Sequence, residues 1–350
     1  MANIKHILEN AQKEPINEEE ALCLFQNVQS IDKFLDLAKV ASKVRDDGVG
    51  SIFKFDGFIG TITPCKINPP CKYCGRSAKN GTDFSGHYLT TEEIELAAEF
   101  IAETGVKMTE IGGGTTSNAG EKVIMAVKAV KKVTPNLGIW INVGPSLTRD
   151  DLTKLKELGV KEVCSSLETI NPDVFAQVKP GDSLSARMKL AGEINDAGLG
   201  LASVMMVGLG SSYEDYVEHI FWLNNFDMIK KGHFPITGFR PMPDGGLEKR
   251  PVANPIEVAK AGAIARLVIR EGDISFGGMM NDPRLLPLWV MAGANRAIHL
   301  GPHVHRANKW NGEKISSEIT SKTIGNLEFR NMLPLTTRLV KDLGMEVLIK

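Results

Sequence analysis

Three of the five cysteines of this 350-residue chain lie within one short stretch, ITPCKINPPCKYCGRS. Cys65, Cys71 and Cys74 have the spacing C-x5-C-x2-C. Three thiolates on one loop can occupy three corners of a four-iron, four-sulfur cluster and leave the fourth iron open to a ligand. Pro69 and Pro70 stiffen the longer spacer. The spacing therefore favours an iron–sulfur site with one reactive iron.

Two other interpretations of this loop stay open. A structural zinc ion normally takes four protein ligands, so a residue such as His87 would have to complete the site, because Cys23 and Cys164 lie far away in the sequence. Such a zinc-stabilised barrel would be a hydrolase or a binding module, but no H-x-H or H-E-x-x-H pattern follows an early strand. An iron–sulfur electron carrier of the ferredoxin type usually provides four cysteines, one more than this loop has.

Composition limits the cellular setting of the chain. A net charge of -1 provides no basic field for nucleic acid. No run approaches the ~20 apolar residues of a membrane span, and the polar start MANIKHILEN lacks the apolar core of a secretion signal. Five unevenly placed cysteines do not form a disulfide framework in a chain of this length. We expect a cytoplasmic protein with reduced thiols and with neither a nucleic-acid nor a membrane partner.

Eight apolar stretches alternate with helical patterns along the chain. The predicted strands are residues 51–63, 107–114, 138–145, 162–169, 201–209, 233–242, 273–277 and 296–300. Helix starts are indicated by Thr90 with Glu93, by Ser211 with Glu214 and by Asn254 before Pro255, and helix ends by Gly105 and Gly159. Eight strand–helix units predict an α/β fold, a (β/α)8 barrel of the TIM type. A doubly wound open sheet is the alternative, although no G-x-G-x-x-G follows the first strand.

The chain divides into two regions without a recognisable linker. Residues 1–49 precede the first strand and predict two helices, packed on the outside or the bottom of the barrel. Residues 50–350 form the barrel and a C-terminal extension. We expect a single domain overall.

Functional residues of a parallel barrel lie where its strands end. The three cysteines follow the first strand, as this rule requires. In the fourth strand, CSSLET, side chains alternate, so Cys164, Ser166 and Glu168 share one face. Ser183 is a candidate N-cap, which puts Arg187 one turn into the next helix and near the barrel mouth. Structural roles, a loop cap for Glu168 and a solvated charge for Arg187, are the alternatives.

The cysteine triad after the first strand, with Tyr73 just before its last cysteine, resembles the radical S-adenosylmethionine (SAM) superfamily. The usual spacing of that superfamily is C-x3-C-x2-C. The longer first gap resembles one branch, the HmdB-like enzymes that mature the iron-guanylylpyridinol cofactor of the mono-iron hydrogenase of methanogens. The wider relatives are biotin synthase, methylornithine synthase and the hydrogenase maturase HydE. The resemblance covers about residues 50 to 310.

This resemblance implies a mechanism and a set of cofactor contacts. A 4Fe-4S cluster on Cys65, Cys71 and Cys74 would bind SAM and cleave it reductively to a 5'-deoxyadenosyl radical, using electrons from a low-potential ferredoxin or flavodoxin. The implied SAM contacts are Tyr73, Gly112, Gly113, Gly114, Ser166, Glu168 and Arg187. Relatives have a glycine pair followed by glutamate at the second strand, and this chain lacks that glutamate. The implied role is the biosynthesis of the pyridinol ligand of the hydrogenase cofactor, with a biotin synthase-like or methylornithine synthase-like reaction as the alternative.

A small-molecule substrate would need further polar groups near the barrel mouth. The candidates are Asn142, Cys164, Arg240, His303 and His305. The motif HLGPHVH, which also contains His299, has a spacing that could hold a metal or a substrate iron, although a polar loop is the commoner outcome. The fold alone does not select the substrate.

Overall fold

A closed barrel of eight parallel strands forms the centre of the molecule. The computed structural model describes residues 4–76, 88–278, 281–306 and 316–349. The barrel strands are β1 (Ile52–Ile59), β2 (Met108–Gly112), β3 (Gly138–Asn142), β4 (Glu162–Cys164), β5 (Gly200–Ala202), β7 (His233–Gly238), β8 (Asp273–Phe276) and β9 (Arg296–Ala297). Lys54 pairs with Arg296 across the closing seam between β1 and β9. The predicted TIM-type barrel is confirmed, and the open-sheet alternative is wrong.

All eight predicted strands are shorter in the structure, and two of them are interrupted. Strand β4 ends at Cys164, and the chain then continues to an isolated bridge between Glu168 and Met205. The fifth predicted strand is broken into β5 and a separate segment, β6 (Met205–Val207), which pairs with β7. Both interruptions lie at the mouth of the barrel. The two segments remain hydrogen-bonded to each other there, between Glu168 and both Val204 and Met206.

Helices follow the strands and cover the barrel. They are α4 (Thr91–Glu103), α5 (Ala119–Val133), α6 (Arg149–Glu157), α7 (Pro172–Val178), α8 (Leu184–Asp196), α9 (Tyr213–Asn224), α10 (Pro255–Val268) and α11 (Leu286–Met291). The predicted starts at Thr90 and Asn254 are confirmed, since both side chains accept hydrogen bonds from the first helical turn. The predicted start at Ser211 is wrong by one residue. Ser212 caps α9 with Asp215, because the hydroxyl of Ser211 is hydrogen-bonded to Thr169 at 2.7 Å.

The N-terminal region has three helices, not the two that were predicted. They are α1 (Ile4–Ala11), α2 (Glu18–Asn27) and α3 (Ile31–Val49). Helix α3 packs on α10 and α11, and α2 packs on α9 and α10, so these helices lie against the outer layer of the barrel. The division of the chain at residue 50 stays a prediction. In the described part of the chain, no helix combines the length and the apolar character needed to cross a membrane.

The C-terminal extension adds to the sheet. Strand β10 (Pro302–Arg306) pairs with β1, and a hairpin of β11 (Thr320–Ile324) and β12 (Leu327–Asn331) continues from it. Helix α12 (Leu333–Lys341) leads to β13 (Glu346–Val347), which pairs with the start of β1. The extension therefore pairs with β1 near both of its ends.

A buried ionic cluster fills the lower interior of the barrel. Arg296 on β9 contacts Asp56 on β1 at 2.7 Å and Glu162 on β4 at 2.8 Å. Trp140 donates a hydrogen bond to Asp56, and His233 binds Glu162. Burial opposes the ionisation of Glu162, but Arg296 and His233 outweigh it and hold the pKa of Glu162 at about 2. One guanidinium thus links strands from opposite sides of the barrel.

Removing that guanidinium should strongly destabilise the fold. Arg296→Met leaves two buried carboxylates without their cation, and we expect a loss of about 3–5 kcal/mol in the free energy of unfolding. Arg149→Met is the matched control, because the side chain of Arg149 is 71% exposed and an exposed ion pair contributes less than about 1 kcal/mol. Urea denaturation of both variants measures the difference. Equal, small losses would contradict the structural role given to Arg296.

Candidate active site

A cavity of about 290 Å³ opens at the C-terminal ends of the barrel strands. One wall contains Cys65, Cys71 and Cys74. The other walls are lined by residues that follow β2, β3, β4, β5, β7, β8 and β9, including Gly113, Gly114, Asn142, Ser166, Glu168, Arg187, Thr237 and His299. The three cysteines and the polar residues predicted from strand four therefore face one enclosed space.

The cysteine loop, residues 60–76, is held against the segment that follows β2. Thr63 and Gly114 are joined by two hydrogen bonds of 2.8 and 2.9 Å, and the Lys66 amide donates to the Thr115 carbonyl at 2.7 Å. A Cβ atom on Gly114 would lie 2.4 Å from the backbone nitrogen of Cys65. The glycine is required because the two backbones approach so closely. This contact fixes the position of the first cysteine.

A second glycine accommodates the other side of the cysteine loop. A Cβ atom on Gly181 would lie 2.3 Å from the Pro69 carbonyl oxygen. The Lys72 amide donates to the Val178 carbonyl at the end of α7 at 2.9 Å. The loop is thus clamped between the β2 segment and the connection from α7 to α8. Gly181 belongs to no recognisable sequence motif, so its contact with the cysteine loop could not be predicted from the sequence.

The chemistry of the three cysteines fits an iron–sulfur cluster. All three thiols line the same cavity, and thiolate sulfur is the preferred ligand of such clusters. Burial raises the pKa of Cys71 to about 12 and also raises that of Cys74, so a bound metal must displace their protons. Among the described residues, no three His, Cys, Asp or Glu side chains are placed to hold a single metal ion. His87, the candidate fourth zinc ligand, lies outside the described residues.

A buried charge network forms the wall on the β4 side. Lys179 contacts Glu168 at 2.6 Å and Asp182 at 3.4 Å. Arg187 contacts Asp182 at 2.6 Å and donates to the Ser166 carbonyl at 2.8 Å. Asp182 is thus the main partner of the Arg187 guanidinium group. This pairing was not predicted from the sequence. Neither Glu168 nor Arg187 is a solvated surface charge.

The predicted side-chain parity of the fourth strand agrees with the structure. Cys164 and Ser166 lie on one face, with 3.0 Å between Sγ and Oγ, whereas Ser165 points the other way and donates to the Arg187 carbonyl. Glu168 follows with a φ of 63°, in the left-handed region, and its backbone pairs with that of Val204 and Met206. Such a conformation in a residue other than glycine is costly and is typical of functional sites.

Four residues form a polar cluster of which the sequence indicated only Asn142 and His299. Glu110 on β2 is 1% exposed and accepts hydrogen bonds from Arg76 at 2.8 Å, Asn142 at 3.0 Å and His299 at 2.9 Å. Burial opposes its ionisation, but His299 and Arg76 hold the pKa of Glu110 at about 2. A glutamate near the end of a predicted barrel strand, KMTEIGGG, was the available signal.

The five predicted substrate residues have different positions. Asn142 lines the cavity. Cys164 is buried below it, among Trp140, Ala202 and Ile298. Arg240 is exposed and is not part of the cavity wall. His303 and His305 stack on each other on β10, also outside the cavity wall. Of the three histidines in HLGPHVH, the structure brings His299 to the cavity.

Comparison with known proteins identifies relatives over nearly the whole chain. The family model described as the radical SAM superfamily matches residues 62–223. An uncharacterized protein of Methanocaldococcus jannaschii is 34% identical over 335 residues, which cover 95% of this chain and 84% of that protein. A biotin synthase of Carboxydothermus hydrogenoformans is 27% identical, over 80% of this chain and 86% of the synthase.

The fold also matches a solved structure along its full length. The crystal structure of methylornithine synthase (PylB) superimposes with a TM-score of 0.80 and covers 97% of each chain. The two sequences are 19% identical, so this likeness concerns the fold. The barrel, the N-terminal helices and the C-terminal extension are all included in a match of that coverage.

Proposed function

Because the chain belongs to the radical SAM superfamily, whose enzymes use a 4Fe-4S cluster and SAM, we propose that Cys65, Cys71 and Cys74 bind such a cluster. The observation that carries the proposal is that all three thiols line the same cavity as Glu168 and Arg187. When bound, cluster and SAM supply a 5'-deoxyadenosyl radical by reductive cleavage of SAM. The protein binds and orients the cluster, SAM and the substrate.

The residues of the cavity have separate proposed tasks. Tyr73 in the cysteine loop and Gly113 and Gly114 next to it line the cavity and would contact SAM beside the cluster. Gly112, at the end of β2, does not itself border the cavity, and its proposed part is to allow close packing under the loop.

Ser166, Glu168 and Arg187 form the opposite side of the proposed SAM site. Lys179 holds Glu168 in place, and Asp182 holds Arg187. A polar group already fixed by a partner loses little conformational entropy when a ligand binds. This wall is therefore preorganised for the amino and carboxylate groups of SAM.

The shape of the site favours an enzyme over an electron carrier or a zinc-stabilised module. A carrier needs no substrate space beside its cluster, whereas this cavity extends from the cysteines across the barrel mouth to β9. Enclosure of that kind excludes water and restricts which atoms a reactive intermediate meets. We therefore propose a radical SAM enzyme that acts on a small-molecule substrate. Its electron donor would be an external low-potential ferredoxin or flavodoxin.

The proposal of a specific biosynthetic pathway depends on the cysteine spacing. The C-x5-C-x2-C motif resembles that of the HmdB-like enzymes, and we propose that this protein acts in the biosynthesis of the pyridinol ligand of the iron-guanylylpyridinol cofactor, in the cytoplasm. A reaction of the biotin synthase or methylornithine synthase type is the second candidate, which the sequence relationship to biotin synthase favours.

The cluster ligands are tested by single cysteine variants. Alanine at Cys65, Cys71 or Cys74 should abolish SAM cleavage and lower the iron and sulfide content after anaerobic reconstitution, because three thiolates are needed to hold the cluster. Cys23→Ala is the control and should keep both, since Cys23 lies on α2, away from the cavity. Electron paramagnetic resonance of the reduced protein should show a signal that changes when SAM is added. Colourless protein with stoichiometric zinc would refute the proposal.

The proposed SAM contacts are tested by affinity. Glu168→Gln or Arg187→Met should weaken SAM binding by ~1.5–3 kcal/mol, the usual contribution of a hydrogen bond to a charged group. Lys189→Met is the matched control on the same helix, because its side chain is 75% exposed. Calorimetric titration of the reconstituted protein measures all three variants. Unchanged affinity in both cavity variants would show that SAM is held elsewhere.

The biosynthetic role is tested by deleting the gene in a host that makes the mono-iron hydrogenase. We expect loss of the iron-guanylylpyridinol cofactor, measured by mass spectrometry of the cofactor extract. The wild-type gene should restore it, and a gene encoding Cys71→Ala should not. Normal cofactor levels in the deletion strain would exclude this role and leave the radical SAM reaction class unaffected.

A further inference from the structure

One histidine in the cavity has no task in the proposed binding of cluster and SAM. His299 directly follows β9, the eighth strand of the barrel, whereas Glu168 and Arg187 belong to the β4 side. Strands four and eight lie opposite each other in a closed barrel of eight strands. A molecule bound beside SAM would therefore meet His299 on its far side.

The imidazole of His299 is held in one orientation. Nε2 lies 2.9 Å from Oε2 of Glu110, and the ring packs edge-on against Phe58 with 4.8 Å between ring centres. The backbone of His299 has a φ of 60°, in the left-handed region. The surrounding structure must stabilise such a conformation, and this pattern is typical of functional positions. The ring is thus fixed by a hydrogen bond, a packing contact and a constrained backbone.

The hydrogen bond to Glu110 also determines which ring nitrogen carries the proton. A carboxylate only accepts, so Nε2 must donate, and the neutral imidazole then has an unprotonated Nδ1. Arg76 already contacts Oε1 of Glu110 at 2.8 Å and balances its charge. A neutral imidazole adds no charge to this balanced pair, whereas a protonated imidazole would leave the cluster with a net positive charge. Nδ1 is then a hydrogen-bond acceptor that a bound molecule can use.

The other charges at the cavity are matched in the same way. Glu168 is paired with Lys179, and Asp182 with Arg187. We assign these pairs to the charged groups of SAM, so they are not available to a substrate beside His299. A neutral hydroxyl there satisfies an acceptor without adding charge. The cavity residues from β7 to β9 include the apolar Pro235, Ile236 and Ile298. They also include Asn281 and Thr237, whose hydroxyl already donates to the Gly277 carbonyl at 2.7 Å.

We propose that His299 is a substrate-binding residue that accepts a hydrogen bond at Nδ1 from the hydroxyl group of a small, otherwise apolar substrate. Glu110 is its positioning residue, because it fixes the orientation and the tautomer of the imidazole. The inference deepens the proposed radical SAM function and rests on it, since it assumes that SAM occupies the β4 side of the cavity.

Phenol and toluene provide a matched pair of probes, because they have nearly the same size and differ in the hydroxyl group. Equilibrium dialysis against the anaerobically reconstituted, SAM-bound protein should show that phenol binds at least about fivefold more tightly than toluene, the effect of one hydrogen bond. His299→Phe should abolish this preference. His305→Phe should keep it, because His305 does not line the cavity.

A second variant keeps the test independent of the folding of His299→Phe. Glu110→Gln can donate to Nε2 and move the ring proton to Nδ1. Nδ1 would then have to donate to the phenol oxygen, a weaker acceptor than an imidazole nitrogen, so this variant should also reduce the phenol preference. Equal binding of both probes to the wild type, or a preference that persists in both variants, would overturn the inference. The change of the cluster signal on addition of SAM is recorded on the same samples. If the cluster signal of the wild type does not change when SAM is added, the proposed radical SAM function is contradicted. The role of His299 is contradicted only by the probe measurements.

Discussion

Charges inside the barrel must be paired, and this constraint organises both layers of the interior. In the lower layer Arg296 joins Asp56 and Glu162 across the barrel. In the upper layer Arg76 joins Glu110, so that the residue two positions after the last cysteine is tied to β2. An isolated charge in such surroundings would cost several kcal/mol. The ion pairs therefore set the relative positions of strands and of the cysteine loop.

The cysteine loop depends on backbone contacts as much as on its own sequence. Gly114 allows the β2 segment to touch Cys65, and Gly181 allows the connection after α7 to touch Pro69. A side chain at either position would push the loop away from the barrel mouth. The loop is therefore part of the rigid scaffold, and the three thiols it carries are presented to a cavity whose other walls are already in place. A preorganised site of this kind is what positional control of a reactive species requires.

The two sides of the cavity differ in character. The β4 side carries matched ion pairs around Glu168 and Arg187. The β9 side carries His299, which is bonded to the Arg76–Glu110 pair. This asymmetry suits two different ligands, one with charged groups and one without. One fold hosts different functions through the sites built on it. The substrate must therefore be identified from the β9 side.

The sequence by itself determined the fold class, the alternation of barrel strands with helices and the position of the three cysteines after the first strand, because these follow from local periodicity and from spacing along the chain. The alternation in strand four correctly separated Ser165 from Cys164 and Ser166. Only the tertiary structure decided which distant residues meet. It paired Arg187 with Asp182, brought Glu110, Arg76 and His299 together, and left Arg240 and His303 outside the cavity wall. The reason is that barrel closure sets the distances between strand ends, and no local pattern contains that information.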